Sequence, residues 1–380
     1  MHIVDTTMFY APVSGGVKRY LLAKHQWLEP CRALRHTLLV PGRTDRHDGA
    51  GLECLASAPL PFGHGYRLPL NLPRWRAHLE ALAPDLIEAG DPYQLAWVAL
   101  RAGRNRGVPV VGFYHSDLVR LLGVRLGNWV EPAVGEYVRR LYERFDLVLA
   151  PSRMIADKLE SLGLHHVRHQ PLGVDTELFN PRRRDPGLRR ELGLHPDTRL
   201  LVFAGRFARE KNIPLLAAAV RRLGPRYQLL LVGGGGPLPP LPPNVSVLPY
   251  QAAGRDVARL VASCDLLVHA GGRETFGLVV LEAMACGLPV VGVDSGAVAE
   301  LVDEDVGQIA RSGDLDSLVE AIGAVFERGA DMLGRAALER VRRRYTWGQV
   351  LRRQIAAYAE LAGVRSPLEE EPELEAHAAG

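Results

Sequence analysis

The stretch that decides the fold is Gly271-Gly272-Arg273-Glu274-Thr275-Phe276-Gly277-Leu278-Val279-Val280-Leu281-Glu282-Ala283-Met284-Ala285, followed by Cys286-Gly287-Leu288-Pro289-Val290-Val291. The apolar run just before it, Asp265-Leu266-Leu267-Val268-His269, reads as a buried parallel strand. A glycine-rich turn follows, and Leu278 to Cys286 reads as an amphipathic helix closed by Gly287. The backbone N–H groups near Gly277 and Leu278 then face whatever lies beyond the strand end, and a helix N-terminus so placed is an anion site. A phosphate fits there, while Glu274, just before the helix, and Glu282, on it, can accept hydrogen bonds from hydroxyls. A diphosphate flanked by two polyols is the chemistry of a nucleotide sugar.

Outward from this unit the same alternation of strand and helix repeats. Towards the N-terminus it runs through Arg199 to Ala204, Ile213 to Leu223, Tyr227 to Val232, Val245 to Leu248 and Ala252 to Ser263, with the proline-rich Pro237 to Pro243 as a loop. An earlier series comprises His2 to Asp5, a helix from Gly16 to Leu28, Arg35 to Val40, a helix around Pro73 to Leu82, Asp85 to Glu88, a helix from Pro92, Val108 to Phe113, Asp146 to Ala150 and a helix from Pro151 to Leu162. Such alternation predicts α/β domains with parallel sheets covered by helices. Gln170 to Asp175 reads as the crossing segment between them, and Pro181 with Arg182-Arg183-Arg184 as exposed linker.

The 380 residues suffice for two or three domains. A hydrophobic content of 47% with 23% charged residues is that of a soluble globular chain, and no apolar run approaches a membrane span. Met1-His2-Ile3-Val4-Asp5 opens as a strand without the basic and apolar regions of a signal peptide, which implies a cytoplasmic chain. Cys31, Cys54, Cys264 and Cys286 lack metal-site or redox spacing and read as small buried hydrophobes. Of the 43 acidic residues, Glu369, Glu370, Glu371, Glu373 and Glu375 sit in a tail over 366–380 expected to be disordered, so the body is more basic than the net charge of +3 indicates. That excess mildly favours anionic partners; its arginines are dispersed, with no aromatic-interleaved module of the nucleic-acid-binding kind. Between Leu118 and Phe145, Arg120, Arg125, Arg139, Arg140 and Arg144 interleave with Leu121, Leu122, Val124, Leu126, Trp129 and Val130. This pattern fits either helices covering the first sheet with their arginines in solvent or a peripheral contact with an acidic bilayer.

Glu274-x7-Glu282 with Phe276-Gly277 resembles the donor-site signature of the retaining glycosyltransferases of family 4. The likeness extends over nearly the whole chain, since Gly15-Gly16-Val17, His115, Gly173-Val174-Asp175 and Gly205-Arg206…Glu210-Lys211-Asn212 occur in the family's order. It implies the GT-B fold, with two facing Rossmann-like domains and a C-terminal helix, here Trp347 to about Leu361, that crosses back. The expected domains are residues 1–175, completed by 347–363, for the acceptor, and 182–345 for the nucleotide sugar. The implied reaction retains the anomeric configuration without a protein nucleophile. The donor is GDP-mannose or a UDP-hexose, with a weak lean to mannose, and the acceptor is a glycan or a lipid-linked molecule.

The same resemblance sets the expected site. Gly15 and Gly16 follow the first strand, where missing side chains let backbone N–H groups approach a phosphate. Arg206 and Lys211 follow the first strand of the second series, where two cations suit a leaving diphosphate. His115, with Ser116-Asp117 capping the next helix, contacts the transferred sugar. Glu274 and the Phe276, Gly277 and Leu278 backbone hold the donor, and Glu282 holds the ribose. Asp175 either reaches the acceptor or caps a turn, with the turn cap the preferred reading. No cofactor is implied, and no metal: there is no D-x-D at a strand end, and Arg206 and Lys211 supply the cationic charge. Three alternatives compete with a transferase. A nucleotide-sugar epimerase and a glycan phosphorylase share the fold, although neither Lys158 nor Lys211 has a distinctive setting for pyridoxal phosphate. The third is a catalytically silent binding protein.

Overall fold

In the computed structural model, which describes residues 1–11, 15–61, 65–366 and 368, the alternating pattern resolves into two compact units. One comprises Met1–Leu172 and the returning segment from Trp347; the other is Gly173–Thr346. Of the acidic tail, only 366 and 368 fall among the described residues.

The first unit is built on an eight-stranded sheet. Its spatial order is Val167–His169, Leu147–Ala150, Val110–Phe113, Leu86–Ala89, His2–Thr6, Arg35–Gly42, Leu52–Ala56 and Arg46–His47. All neighbours pair in parallel except the last two, which are antiparallel. Helices cover the sheet, so its inner strands are buried and read as near-continuous Val, Ile and Leu runs, the signature of parallel sheets. Chain order reverses between His2–Thr6 and Leu86–Ala89, a topological switch point.

The Trp347–Leu361 helix belongs to this unit, and its polar side chains show how it is held. Gln354 Nε2 donates to Tyr20 Oη at 2.5 Å and to Glu88 Oε2 at 3.1 Å, and Tyr358 Oη donates to Glu88 Oε2. Lys24 Nζ lies between Asp5 Oδ2 at 2.9 Å and Glu88 Oε2 at 2.6 Å with no exposed surface. Burial disfavours the charged Lys24, but the two carboxylates more than offset it and raise its pKa.

The region from 118 to 145 forms two helices, Leu118–Leu126 and Glu131–Tyr142. Leu118, Val119, Val138, Leu141 and Tyr142 join the core. Arg139 and Arg140 are ion-paired to Glu136, so part of the arginine pattern is balanced surface charge. Beside the arginines, Leu121, Val124, Leu126 and Trp129 also lie exposed, Trp129 at 81%.

The second unit has a six-stranded, wholly parallel sheet ordered Val245–Leu248, Tyr227–Gly234, Arg199–Arg206, Leu266–Val268, Val290–Val293 and Gly307–Ala310. Numbered along the chain this is 3-2-1-4-5-6, with the switch point between Arg199–Arg206 and Leu266–Val268. The unit's chain ends are pinned together: Val174 N–H donates to Tyr345 C=O at 2.8 Å, and Val174 bridges Thr346. Asp175 Oδ1 accepts from the Glu177 and Leu178 N–H groups at 2.9 and 2.8 Å, a turn cap as read.

One expectation is corrected. The helix runs Leu278–Ala285, with Cys286 at its end and Gly287 in the left-handed region at φ +79°, but it is not amphipathic. Val280 to Ala285 are all buried, because the helices Ala330–Arg344, Val298–Leu301 and Gly254–Ala262 pack around it.

Candidate active site

In the second unit the residues singled out by sequence collect at the switch point, where open α/β sheets bind their ligands beyond the carboxyl ends of the strands. Arg206 is the last residue of its strand. Its side chain is largely exposed, with Nη2 3.8 Å from Glu210 Oε1. Lys211 closes the short turn Arg209–Lys211, and Asn212, left-handed at φ +51°, then starts the Ile213–Leu223 helix. That turn carries the Lys211 ammonium inward onto Glu274 Oε1. Burial lowers its pKa to about 8; Glu210 opposes the shift and Arg206 adds to it. The two expected cations are therefore unlike, one solvated and one half-buried against a carboxylate.

Glu274 itself sits on the turn between Leu266–Val268 and the next helix. Its carbonyl accepts from the Ala297 N–H at 3.0 Å. The turn is tight enough to require glycine at Gly271, where a Cβ would lie 2.9 Å from Glu210 O and 3.0 Å from His269 Cε1. Gly277 is left-handed at φ +102° and aims the Leu278–Ala285 helix. Phe276 is core, so only its backbone remains for a ligand. Glu282, one turn into the helix, is buried at 4% exposure, not on an exposed face.

His269 was not among the residues selected from sequence. It continues the Leu266–Val268 strand, its N–H donating to Val291 C=O at 2.8 Å. Its ring is buried, and Nε2 lies 3.1 Å from Glu274 Oε1. Burial lowers its pKa to about 3, with Lys211 acting in the same direction and hydrogen bonding to the backbone at His269 and Gly271 opposing it. The signal available in the sequence was its position, at a strand end directly before the glycine turn that carries Glu274.

In the first unit, His115 follows Val110–Phe113, and Asp117 caps the next helix by accepting from Arg120 N–H at 3.2 Å. The His115 ring stacks on Phe113 with centroids 3.9 Å apart and touches Tyr20 at 5.0 Å. Its pKa falls to about 3 through burial, opposed by Asp5 and reinforced by Lys24. Gly15 and Gly16 begin the Gly16–Leu28 helix; Gly15 is exposed, with no heavy atom within 4 Å of where a Cβ would stand. Sequence reasoning also passed over Asp91. It is buried at the unit's switch point, where it accepts from Met8 N–H at 2.5 Å, Tyr93 N–H at 2.9 Å and Thr7 Oγ1 at 2.9 Å. Lys158 is ion-paired to Asp117 at 2.6 Å.

Two α/β units with Rossmann-like sheets, one carrying a carboxylate–lysine pair and a helix N-terminus at its switch point, define a GT-B protein. Residues 14–178 match the model of Glycosyltransferase Family 4 and residues 198–328 that of Glycosyl transferases group 1. A GDP-mannose-dependent alpha-mannosyltransferase of Mycobacterium tuberculosis is 32% identical over 307 residues, 77% of this chain and 79% of that one. A GDP-mannose-dependent alpha-(1-6)-phosphatidylinositol dimannoside mannosyltransferase of the same species is 29% identical over 95% of this chain and 97% of its own. The Arabidopsis thaliana sulfoquinovosyl transferase SQD2 is 29% identical over 78% of this chain, which spans 61% of that longer protein. Among solved structures, sucrose-phosphate synthase of Thermosynechococcus elongatus shares the fold with a TM-score of 0.79 at 21% identity, over 95% of this chain and 99% of that one. The chain belongs to glycosyltransferase family 4 and is an enzyme of the hexosyltransferase class.

Proposed function

We propose that the chain transfers a hexose, mannose first among candidates, from a nucleotide diphosphate sugar to a glycan or lipid-linked acceptor with retention of anomeric configuration. The observation that carries this reading is the cluster of Lys211, Glu274 and the Gly277–Leu278 helix start at the second unit's switch point. The helix N-terminus and Lys211 meet the diphosphate, Arg206 adds a solvated cation, Glu274 and the Phe276–Gly277 backbone hold the sugar hydroxyls, and Glu282 serves the ribose. As the glycosidic bond breaks, charge develops on the diphosphate. The acceptor hydroxyl attacks from the face the diphosphate leaves, and its proton passes to the departing phosphate oxygen.

His115 and the Gly15–Gly16 turn are assigned to the sugar and to phosphate respectively. His115, kept neutral by burial, acts through hydrogen bonding and not as a cation. No cofactor or metal takes part in this reading. The names of the mannosyltransferase relatives favour GDP-mannose over UDP-hexoses. Among the described residues no helix is long and apolar enough to cross a membrane. We assign the chain to the cytoplasm, with the exposed Leu121, Val124, Leu126 and Trp129 beside Arg125 touching an acidic bilayer peripherally.

A screen of donor hydrolysis with GDP-mannose, UDP-glucose and UDP-galactose tests the reading, with proton NMR of the first-formed product reporting the anomer. GDP-mannose turnover, retained configuration and full activity in EDTA are expected. Absence of turnover with every donor, an inverted product, or activity lost in EDTA and restored by magnesium or manganese overturns the corresponding part.

A further inference from the structure

Among the described residues, the two side chains paired with the Glu274 carboxylate differ in kind. Lys211 ends a long flexible stem and, on the glycosyltransferase reading above, is drawn to the donor diphosphate. His269 cannot follow it. Its backbone is fixed in the sheet by the 2.8 Å bond to Val291, its ring is buried near Phe203 with centroids 6.1 Å apart, and Gly271 closes over Cε1 with no room for a side chain. A carboxylate only accepts, so the 3.1 Å approach to Glu274 Oε1 is a hydrogen bond in the Nε2–H tautomer, and the backbone at His269 and Gly271 competes for the neutral ring's single N–H. Nothing else among the described side-chain hydrogen bonds holds this carboxylate, which projects from a turn opened by two glycines.

We propose that His269 is a positioning residue: its Nε2–H donates to Glu274 Oε1, fixing the carboxylate so that Oε2 faces the hydroxyls of the bound sugar when Lys211 turns to the diphosphate. The inference rests on the transferase reading for its functional consequence, but the hydrogen bond itself does not. Because burial keeps the imidazole neutral, it orients the carboxylate without neutralising it. A cation there would compete with the sugar for the same charge.

The test compares His269→Met, which keeps volume but has no donor, with His269→Gln, which returns an N–H near the Nε2 position. With GDP-mannose as donor, H269M lowers kcat by about 10-fold to 100-fold, the range seen when a partner of a functional side chain is removed. GDP affinity by titration calorimetry stays within about twofold, and H269Q recovers most of the rate. In a Glu274→Ala background H269M costs nothing further, as members of one unit are not additive. Unchanged kcat in H269M, equal loss in H269Q, or additive losses overturn the proposal. In the wild-type chain, nitrogen NMR of the histidine rings, assigned by the signal missing in H269Q, reads the tautomer directly. An Nε2–H imidazole at pH 7 supports the proposal and an Nδ1–H ring overturns it, even if H269M fails to fold. A wild-type chain that turns over no nucleotide sugar sinks the transferase reading and leaves this NMR result standing.

Discussion

At the scale of single residues, the two glutamates of the E-x7-E pair are not equivalent. Glu274 is partly accessible and paired to Lys211, whereas Glu282 is buried in the following helix. Replacing Glu274 by Ala is expected to lower kcat far more than it weakens binding of the free nucleoside diphosphate. Glu282→Gln is expected to do the reverse. Calorimetry with GDP set beside turnover separates the two, and equal losses in both would remove the division of roles. Lys211 adds a pH dependence. Burial lowers its pKa to about 8 in the free protein, so the cation that meets the diphosphate is present below that value and lost above it. Accordingly kcat/KM for the donor should fall along a one-proton limb above about pH 8, since this ratio reports groups of the free enzyme. Lys211→Arg, whose guanidinium stays charged, should abolish the limb, and a limb unchanged in that variant would exclude Lys211 as its source. The strand-end positions of Glu274 and Lys211 were legible because each follows a strand in a short local pattern, but the ion pair between them was not. His269 was not picked out, because its place before the glycine turn marks a strand end but not the side chain it faces.

At the scale of elements, local patterns served well where both partners are close in sequence. The helices Gly16–Leu28 and Ile213–Leu223 span the residues that the alternating pattern assigns to them. The Leu278–Ala285 helix was misread as amphipathic because Glu282 looks solvent-facing until the helices around it are known. What holds the Trp347–Leu361 helix was illegible for a similar reason. Val350, Leu351, Ile355 and Tyr358 form its buried stripe at helical spacing, but its polar anchor joins Asp5, Tyr20, Lys24, Glu88, Gln354 and Tyr358, with up to 334 positions between partners. Within this anchor Lys24 faces two carboxylates, and the other basic group, His36 with Nε2 3.1 Å from Asp5 Oδ2, has its pKa lowered by burial. Lys24→Met is therefore expected to destabilise the first unit by about 3–5 kcal/mol, the cost of leaving buried charge unpaired. Urea unfolding followed by tryptophan fluorescence, with Trp75 and Trp347 both in this unit, reads it. A loss below about 1 kcal/mol would mean that the carboxylates take up protons at little cost.

At the scale of the molecule, the chain path makes the two units unequal. The second is one continuous stretch, Gly173–Thr346, with its own core around Leu201, Phe203, Leu229, Leu231, Val268 and Val291. Its ends are already tied by the Val174–Tyr345 hydrogen bond and the bridge to Thr346, so excision frays no strand. The first unit is discontinuous: Gln170 Nε2 donates to Val350 C=O at 3.1 Å, and Gln354 and Tyr358 complete the Glu88 anchor. Residues 173–346 alone are therefore expected to fold cooperatively and to bind GDP within about tenfold of the full chain while catalysing no transfer. Residues 1–172 alone are expected to aggregate, because losing the returning helix exposes its apolar docking face and leaves Tyr20 and Glu88 without Gln354 and Tyr358. A chain ending at Tyr345 should fail in the same way. Circular dichroism melts and calorimetry on the three truncations discriminate. A soluble, active protein ending at Tyr345 would refute the role of the helix, and a folded 173–346 fragment blind to GDP would move the nucleotide site off the second unit's switch point.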